Sequence, residues 1–322
     1  MSLSLKFYLF FLGIFLSFFL LRVGINKLKK YSLDKPNHRS LHEQPIPRGG
    51  GLSFIIPLLI YDFFILFNSD VSSVKPLSLY CFPLIFISFW DDLFKVPSIL
   101  RYLVQVVSSF IILHFTNFEF IFNTSFVWIF EIIILIIIIT GLTNFTNFMD
   151  GSDGLVAGCM LVLFLTLNLK LNYAPNLIIL LGSLLTFLFW NWPPAKVFMG
   201  DVGSNFLGIY FVANLLQLPN SEILGLIFIG SPIFGDAFIT LLRRFLSGKN
   251  IFQAHRQHLY QRLYLGGLSK HIICLCYISL CAFLSLTYLK LNFIYEIVAV
   301  SFVLLTMFII DVKYALSFDK SF

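Results

Sequence analysis

Long apolar runs separated by short polar segments dominate this chain of 322 residues. A helix that crosses a bilayer needs roughly 20 mostly apolar residues. About eleven runs approach that length, and residues 132–139 contain no polar side chain at all. The pattern predicts an all-α, polytopic membrane protein with ten or eleven transmembrane helices, ten if two neighbouring runs form one broken helix. The runs lie near 4–24, 50–68, 77–90, 98–116, 126–143, 154–170, 175–190, 204–218, 222–242, 271–289 and 292–312.

Composition supports a membrane protein rather than a soluble one. The chain is 58% hydrophobic and only 12% charged, whereas soluble domains carry about 25% charged residues. We find no internal repeat and no low-complexity linker, so we expect a single integral domain over residues 1–322. The first run is too long for the apolar part of a signal peptide and lacks a cleavage pattern, which favours a retained span.

The distribution of positive charge predicts the orientation. With the amino terminus outside, only Lys6, Lys75, Lys170 and Lys290 fall at outer ends, and the remaining 18 of the 22 Lys and Arg fall inside. Positive residues collect on the cytoplasmic side of membrane proteins. The net charge of +6 therefore reflects topology, and we expect no nucleic-acid partner.

Carboxylates cluster in the inner loops. Asp91 and Asp92 follow the third run, Asp150 and Asp153 follow the fifth, and Asp201 precedes the eighth. Mg²⁺ is typically held by one or two carboxylates together with phosphate oxygens. Two simpler interpretations remain open here: a solvated acidic turn closed by Lys95, and a helix cap formed by Asp201 and Ser204.

Basic residues lie in the same inner segments. The segment 34–51 is basic and ends in three glycines, which suits close approach of a ligand to the backbone but also a flexible flank of the second span. His255, His258 and Arg262 are spaced by three and four residues, so a helix would place them on one face. A contact with lipid headgroups is the alternative for this basic face.

Carboxylates and cations on one membrane surface suit a divalent metal with a polyanion, and a diphosphate is the natural choice. Phe198 beside this cluster is placed to stack on a nucleobase, although an aromatic residue at headgroup level is a competing interpretation. The basic groups available for the polyanion are Arg48, Lys95, Lys196, His255, His258 and Arg262.

Four motifs in order resemble those of the polyprenyl-phosphate N-acetylhexosamine-1-phosphate transferases, the glycosyltransferase family 4 superfamily with WecA-like and MraY-like branches. The resemblance runs from about residue 34 to 265. The last motif reads His-Arg-Gln-His rather than three consecutive His, which resembles the WecA-like, O-antigen branch. The motifs are Asp91-Asp92, Asn144-x-x-Asn147-x-x-Asp150-Gly-x-Asp153-Gly-Leu, Asn191-x-x-Pro194-Ala-x-x-Phe198-Met-Gly-Asp201-x-Gly-Ser204 and His255-x-x-His258-x-x-x-Arg262.

The resemblance implies an activity and its partners. The family's fold has ten or eleven helical spans in the bacterial inner membrane, with active-site loops on the cytoplasmic face. It implies dependence on Mg²⁺, or Mn²⁺ in its place, undecaprenyl phosphate as acceptor and a UDP-linked N-acetylated sugar as donor. The products would be UMP and a lipid diphosphate sugar that starts a surface glycan such as the O-antigen of lipopolysaccharide. It also allows a homodimer.

The resemblance also implies residue roles. Asp201 resembles the family's Mg²⁺-binding aspartate, and Asp91 and Asp92 resemble the pair near the metal and the attacking lipid phosphate. The remaining candidates line the donor pocket or bind its uridine and phosphates, and Asp150 among them is expected to be catalytic together with Asp91 and Asp92. They are Asn147, Asp150, Asp153, Asn191, Phe198, His255, His258 and Arg262, with Arg48 and Lys95 added because of their charge.

For the mechanism we favour direct attack of the lipid phosphate on the donor's β-phosphorus, with Asp91 or Asp92 as base or metal-positioning group. A covalent phospho-aspartate route is the alternative. Two other functions are weighed: the same fold acting on a phospho-muramoyl-pentapeptide donor, and a proton-coupled transporter. Transporter carboxylates lie at the bilayer midplane, whereas these lie at the inner ends of spans.

Overall fold

Helices make up nearly all of the regular structure in the computed structural model, which describes residues 1–36, 41–67, 75–116, 118, 126–251, 253 and 255–318. Within these ranges there are fourteen helices and one two-stranded sheet. The elements are α1 (Leu3–Tyr31), β1 (Leu33–Asp34), β2 (Ile46–Pro47), α2 (Leu52–Phe67), α3 (Leu77–Tyr80), α4 (Phe82–Phe94), α5 (Ser98–Phe115), α6 (Val127–Met149), α7 (Leu155–Lys170), α8 (Pro175–Asn191), α9 (Gly200–Leu215), α10 (Asn220–Ile229), α11 (Ser231–Leu246), α12 (Leu259–Leu265), α13 (Lys270–Lys290) and α14 (Phe293–Tyr314).

The predicted all-α, polytopic fold is confirmed, because each apolar run lies in one helix or in two consecutive helices. Among the described residues, α1, α5, α6, α13 and α14 are long and apolar enough to cross a membrane. The consecutive helices α10 and α11 would form a sixth span if counted together, and α2, α7 and α8 are shorter apolar helices. Length and composition thus support five or six spans, fewer than the ten or eleven predicted.

The run 222–242 is broken into α10 and α11, whose axes differ by 78°. The break falls at Gly230, and Pro232 occupies the first turn of α11. Proline cannot donate a backbone hydrogen bond and disfavours helical geometry in the residue before it. Hydropathy alone does not show this bend, because both halves are apolar.

The centre of the bundle is α9, whose residues are all buried except Asp201. Helices α4 and α6 pack on either side of it. Their polar ends, at Asp91 and Asp92 in α4 and at Asp150 after α6, therefore meet the start of α9 at one end of the bundle.

Backbone hydrogen bonds join the basic segment after β1 to the loop before α9. Phe198 N donates to Pro47 O at 2.9 Å, Gly50 N to Phe198 O at 2.9 Å and Gly51 N to Met199 O at 3.0 Å. A Cβ atom on Gly51 would collide with Gly203. The glycines predicted to approach a ligand thus include one that is required for helix packing. Residues 37–40 of the basic segment lie outside the described residues.

Candidate active site

Asp92 fixes the first turn of α9 from the neighbouring helix α4. Its Oδ1 accepts the N–H of Asp201 at 2.9 Å, and its Oδ2 accepts the N–H of Val202 at 3.1 Å. Arg48 Nε lies 2.9 Å from the same Oδ1, and the Asp92 side chain is only 1% exposed. A carboxylate at a helix amino terminus accepts hydrogen bonds from free N–H groups, and its negative charge interacts favourably with the positive end of the helix dipole. Asp92 therefore holds Asp201 in place through the backbone.

Asp201 is the hub of the site. Arg48 Nη2 donates to its Oδ1 at 2.5 Å, and Asn147 Nδ2 donates to the same atom at 3.1 Å. Asn147 Nδ2 also lies 2.9 Å from Ser204 Oγ, one turn further along α9. Although burial opposes its charge, Asp201 and Asp92 raise the pKa of Arg48 above its ordinary value. The arginine is therefore charged at every physiological pH.

Arg101, in the first turns of α5, completes this hub and was not found by the sequence analysis. Its Nη1 lies 2.7 Å from Asp91 Oδ2 and 3.2 Å from Asp201 Oδ2. Asp91 Oδ1 accepts the N–H of Val96 at 2.6 Å. One guanidinium thus joins two of the predicted metal-binding aspartates. The only sequence signal was its position ten residues after Asp91.

Asp150 borders the same space but has no side-chain hydrogen bond with a described residue. Burial raises its pKa well above the ordinary value, and the nearby charge of Arg48 offsets only part of this effect. It lines a cavity of about 300 Å³, which we call the aspartate cavity. The lining residues are Asp34, Leu41, His42, Arg48, Asn147, Asp150, Gly151, Phe198, Gly200, Asp201 and His255.

Asp153 and Asn191 hold the loop between α8 and α9. Asp153 Oδ1 lies 2.9 Å from Lys270 Nζ, and its Oδ2 accepts the N–H of Ala195 at 3.1 Å. Asn191 Oδ1 accepts the N–H of Gly154 at 2.9 Å, and its Nδ2 donates to Val197 O at 2.9 Å. Both side chains are buried. Their predicted uridine contacts stay predictions.

The His motif does not form the helical face that its spacing predicts. Helix α12 begins at Leu259, after His258, because Asp236 on α11 accepts the N–H groups of Leu259 at 2.7 Å and Tyr260 at 3.2 Å. His255 lines the aspartate cavity. His258 is buried behind it, with the two ring centroids 4.9 Å apart. The expectation of one shared helix face was therefore wrong.

Arg262 and Lys95 are not brought to the aspartate cavity. Arg262 is buried, with Nη2 2.7 Å from Asp311 Oδ1 and Nε donating to Gln257 O at 3.1 Å. It connects residues 255–258, which we call the His loop, to α14. Lys95 is exposed at the end of α4 in a left-handed conformation with φ 53°. Contacts of either side chain with substrate stay predictions.

The donor set fits a divalent cation that arrives with phosphate oxygens. Among the described residues, no group of three His, Cys, Asp or Glu side chains is arranged to hold a metal by itself. Asp201 and Asp150 both line the aspartate cavity, and the Asp150 carboxylate forms no side-chain hydrogen bond with a residue that the structure describes. Mg²⁺ commonly binds one or two carboxylates and takes its other ligands from substrate phosphates and water. Asp201 and Asp150 are the residues that would hold it.

Comparison with known proteins supports the resemblance. The model of glycosyl transferase family 4 matches residues 76–218. A probable undecaprenyl-phosphate N-acetylglucosaminyl 1-phosphate transferase from Bacillus subtilis is 28% identical over 262 residues, which cover 75% of this chain and 72% of the relative. An undecaprenyl-phosphate alpha-N-acetylglucosaminyl 1-phosphate transferase from Thermotoga maritima is 29% identical over 253 residues, or 77% of this chain and 79% of the relative.

The family 4 model thus matches the segment that contains three of the four motifs. The superfamily predicted from the motifs is thereby confirmed. A second kind of relative, a phospho-N-acetylmuramoyl-pentapeptide-transferase from Listeria monocytogenes, is 29% identical over 269 residues, covering 74% of this chain and 82% of the relative. Similarity to both kinds of transferase therefore leaves the donor sugar open.

The fold adds residues from outside the segment that matches the family 4 model. That segment contains the five aspartates and Asn147, Asn191 and Phe198. Arg48 comes from before it and His255 from after it, yet both line the aspartate cavity with Asp201. The site is therefore assembled from three separate parts of the chain.

Proposed function

We propose that this protein transfers an N-acetylated sugar 1-phosphate from a UDP-sugar to undecaprenyl phosphate, with release of UMP. The observation that carries the proposal is the Asp201 hub, in which Arg48, Arg101 and Asn147 converge on one carboxylate at the aspartate cavity. Relatives with this activity in their names align over three quarters of the chain. Two arginines beside two cavity-lining carboxylates suit a diphosphate that carries a divalent cation.

In the proposed reaction an oxygen of the lipid phosphate attacks the β-phosphorus of the donor. The bond between this phosphorus and the oxygen that bridges to the α-phosphate breaks, and UMP leaves with that oxygen. Bound Mg²⁺ or Mn²⁺ supplies charge neutralisation. Arg48 and Arg101 bind and orient the phosphates, since a guanidinium offers paired donors to phosphate oxygens.

The aspartates take different parts in this proposal. Both oxygens of Asp92 already accept N–H groups of α9, so Asp92 positions Asp201. Asp91 faces Arg101 and can accept the last proton of a lipid phosphate that Arg101 binds. Asp150 lines the cavity without a side-chain hydrogen bond to a described residue, and it can hold the cation. Direct attack needs no covalent aspartyl intermediate, and trapping of phosphorylated Asp91 or Asp92 with donor alone would contradict this route.

We place the protein in the bacterial inner membrane, with the amino terminus outside and the aspartate cavity on the cytoplasmic face. The distribution of 18 of 22 Lys and Arg on that side supports this orientation. The carboxylates also lie at helix ends, in the last turn of α4, after α6 and in the first turn of α9. This position suits a transferase working at the membrane surface better than a transporter with charges at the midplane.

For the donor we favour a UDP-N-acetylhexosamine over the muramoyl-pentapeptide nucleotide, and a surface glycan such as O-antigen as the pathway. Support comes from the His-Arg-Gln-His sequence at residues 255–258, which resembles the WecA-like branch. The alternative is represented by the Listeria relative. The two donors differ in the group attached to the sugar, so they are separable by direct assay.

The test is UMP release by purified protein with Mg²⁺, undecaprenyl phosphate and a panel of UDP-N-acetylhexosamines, with UDP-N-acetylmuramoyl-pentapeptide as a separate sample. UMP that requires lipid, metal and one UDP-N-acetylhexosamine would support the proposal and identify the sugar. UMP only with the muramoyl-pentapeptide donor would overturn the donor assignment. No UMP and no binding of any UDP-sugar to folded protein would overturn the function itself.

A further inference from the structure

His42 separates two cavities at the polar end of the bundle. One is the aspartate cavity of about 300 Å³. The other, which we call the larger cavity, has a volume of about 930 Å³ and is bordered by Trp190, Lys196, Tyr264 and Lys270. Leu41 and His42 are the residues that line both. A ligand that extends from one cavity into the other must therefore pass the His42 ring.

The His42 ring is held on one edge and lacks a polar partner. It packs edge-on against Phe198, with ring centroids 5.0 Å apart. Its Nε2 atom is buried and has no hydrogen-bond partner in the described part of the chain. Buried polar atoms in native proteins are almost always paired, and an exception needs a reason such as a missing ligand or water. Leu41, the other shared residue, offers no polar side-chain atom.

The sizes of the cavities indicate what could supply the partner. A nucleoside diphosphate sugar joins a nucleoside to a sugar through a diphosphate, and ligand pockets usually enclose about 300–1,000 Å³. With the diphosphate at Arg48 and Asp201, the nucleoside and the sugar extend in different directions, and the larger cavity adjoins the aspartate cavity at Leu41 and His42. The larger cavity offers aromatic surface at Trp190 and Tyr264 and the charges of Lys196 and Lys270, which suit a base, a ribose or a sugar.

We propose that His42 is a nucleotide-binding residue, whose Nε2 forms a hydrogen bond with a hydroxyl or phosphate oxygen of the donor where it passes between the two cavities. This inference rests on the proposed function, because it assumes a nucleotide donor. His42 acts on binding and not on bond breaking, since the hub of reacting charges lies at Asp201. Phe198 packs against the His42 ring and holds it in place.

Three variants test this role by isothermal titration calorimetry with UDP and by thermal unfolding without ligand. His42→Phe keeps an aromatic ring against Phe198 but removes Nε2, so the Kd for UDP should rise about tenfold, or about 1.4 kcal/mol. The unfolding temperature should stay equal or rise, because an unpaired buried atom is removed. His42→Gln keeps a polar end, and its Kd for UDP should lie between those of wild type and His42→Phe. His114→Phe, at an exposed position on α5, should change neither value.

The opposite pair of results would overturn the inference: a lower unfolding temperature with an unchanged Kd means a structural role. Uridine, UMP and UDP are titrated separately. A loss that is already present with uridine assigns the bond to a hydroxyl, and a loss only with UMP and UDP assigns it to a phosphate. If wild-type protein binds none of them, the proposed function fails as well. If wild-type binds UDP and His42→Phe binds equally, only the His42 assignment fails.

Discussion

The carboxylate of Asp92 accepts the backbone N–H of Asp201 at 2.9 Å, so one aspartate of α4 sets the position of another on α9. A Cβ atom on Gly200, the residue before Asp201, would collide with the Asp92 carboxylate. The φ angle of Gly200 is +77°, which favours glycine. The start of helix α9 at this point therefore depends on a glycine at position 200 and on the Asp92 carboxylate that accepts its first N–H groups. Asp92 is thus the positioning aspartate, and Asp201 is the aspartate that it positions.

We expect Asp92→Asn to reduce both stability and turnover. The amide can accept only one of the two N–H groups, and Arg48 keeps only one of its two charged partners, Asp201. Loss of a helix cap costs about 0.5–2 kcal/mol, and breaking a buried ion pair adds to this. Thermal unfolding and UMP release measure the two effects. Asp91→Asn, which does not cap α9, should lower turnover with a smaller loss of stability; equal unfolding temperatures for both variants would contradict the capping role.

Asp201→Asn should abolish turnover, with a loss of at least about 100-fold in the rate of UMP release, because it removes the charge at the centre of the hub. Ser204→Ala is the matched control on the same helix face. It removes two neutral hydrogen bonds, one from Asn147 and one to Gly200 O, each worth about 1 kcal/mol, and should lower the rate less than tenfold. Near-normal turnover in Asp201→Asn would exclude the proposed role of this residue.

Arg101 lies outside the four sequence motifs, and its contacts with Asp91 and Asp201 give a further prediction. Arg101→Ala should lower UMP release about 100-fold or more, since Asp91 and Asp201 would repel each other without it. Arg101→Lys should recover only part of the rate, because lysine lacks the forked donors. Lys313→Ala, at an exposed position on α14, serves as the control for loss of one positive charge. Equal rates for Arg101→Lys and wild type would mean that charge alone suffices.

Asp236 on α11 positions the end of the His loop and the start of α12. Its carboxylate accepts N–H groups of α12 and also the Tyr277 hydroxyl at 2.8 Å. Asp236→Asn should lower the free energy of unfolding by about 1.5–3 kcal/mol and raise the KM for donor more than it lowers kcat. Thr240→Val removes only the 3.2 Å hydrogen bond to Asp236 and should have a smaller effect. A kcat change without a KM change would point away from the His loop.

His258 predicts acid sensitivity. Burial, with the charges of Arg244 and Arg262, lowers its pKa to about 3, while the unfolded chain titrates near 6.5. Between these values the unfolded state binds the additional proton, so stability falls as pH decreases from about 6.5 towards 3 and is unaffected above that window. At pH 5 the loss is about 2 kcal/mol. His258→Phe should flatten the fall in unfolding temperature between pH 7 and 5, whereas an unchanged slope would assign the sensitivity elsewhere.

Hydropathy predicted where helices form, because the apolar requirement of a span is local and can be counted along the chain. It also predicted which ends of the helices are polar, and Asp201, Arg48 and Asn147 meet as their charge and motif positions indicated. It failed where a distant residue decides the structure. Helix α12 begins after His258 because Asp236 on another helix caps it, and no spacing within residues 255–262 reveals that contact.

Arg101 shows the same limit for the site. A single arginine near the start of an apolar run looks like a positive-inside flank, and only the packing of α5 beside α4 and α9 brings it to Asp91 and Asp201. Arg262 shows the reverse, since a motif position suggested substrate but the fold directs its guanidinium to Asp311. Motif position identified the segments at the site, and tertiary packing decided which side chains face the cavity.

The hydrogen bonds that join residues 47–51 to residues 198–199 have a mechanical consequence. Arg48 and Asp201 are anchored in two stretches of backbone that cannot slide past each other without breaking several bonds at once, and the contact of Gly51 with Gly203 leaves no room for a shear. The charges that would receive a diphosphate therefore keep their spacing when neighbouring helices tilt with the thickness of the bilayer. Changes of lipid composition should accordingly reach this enzyme through delivery of its lipid acceptor and not through distortion of its charged centre.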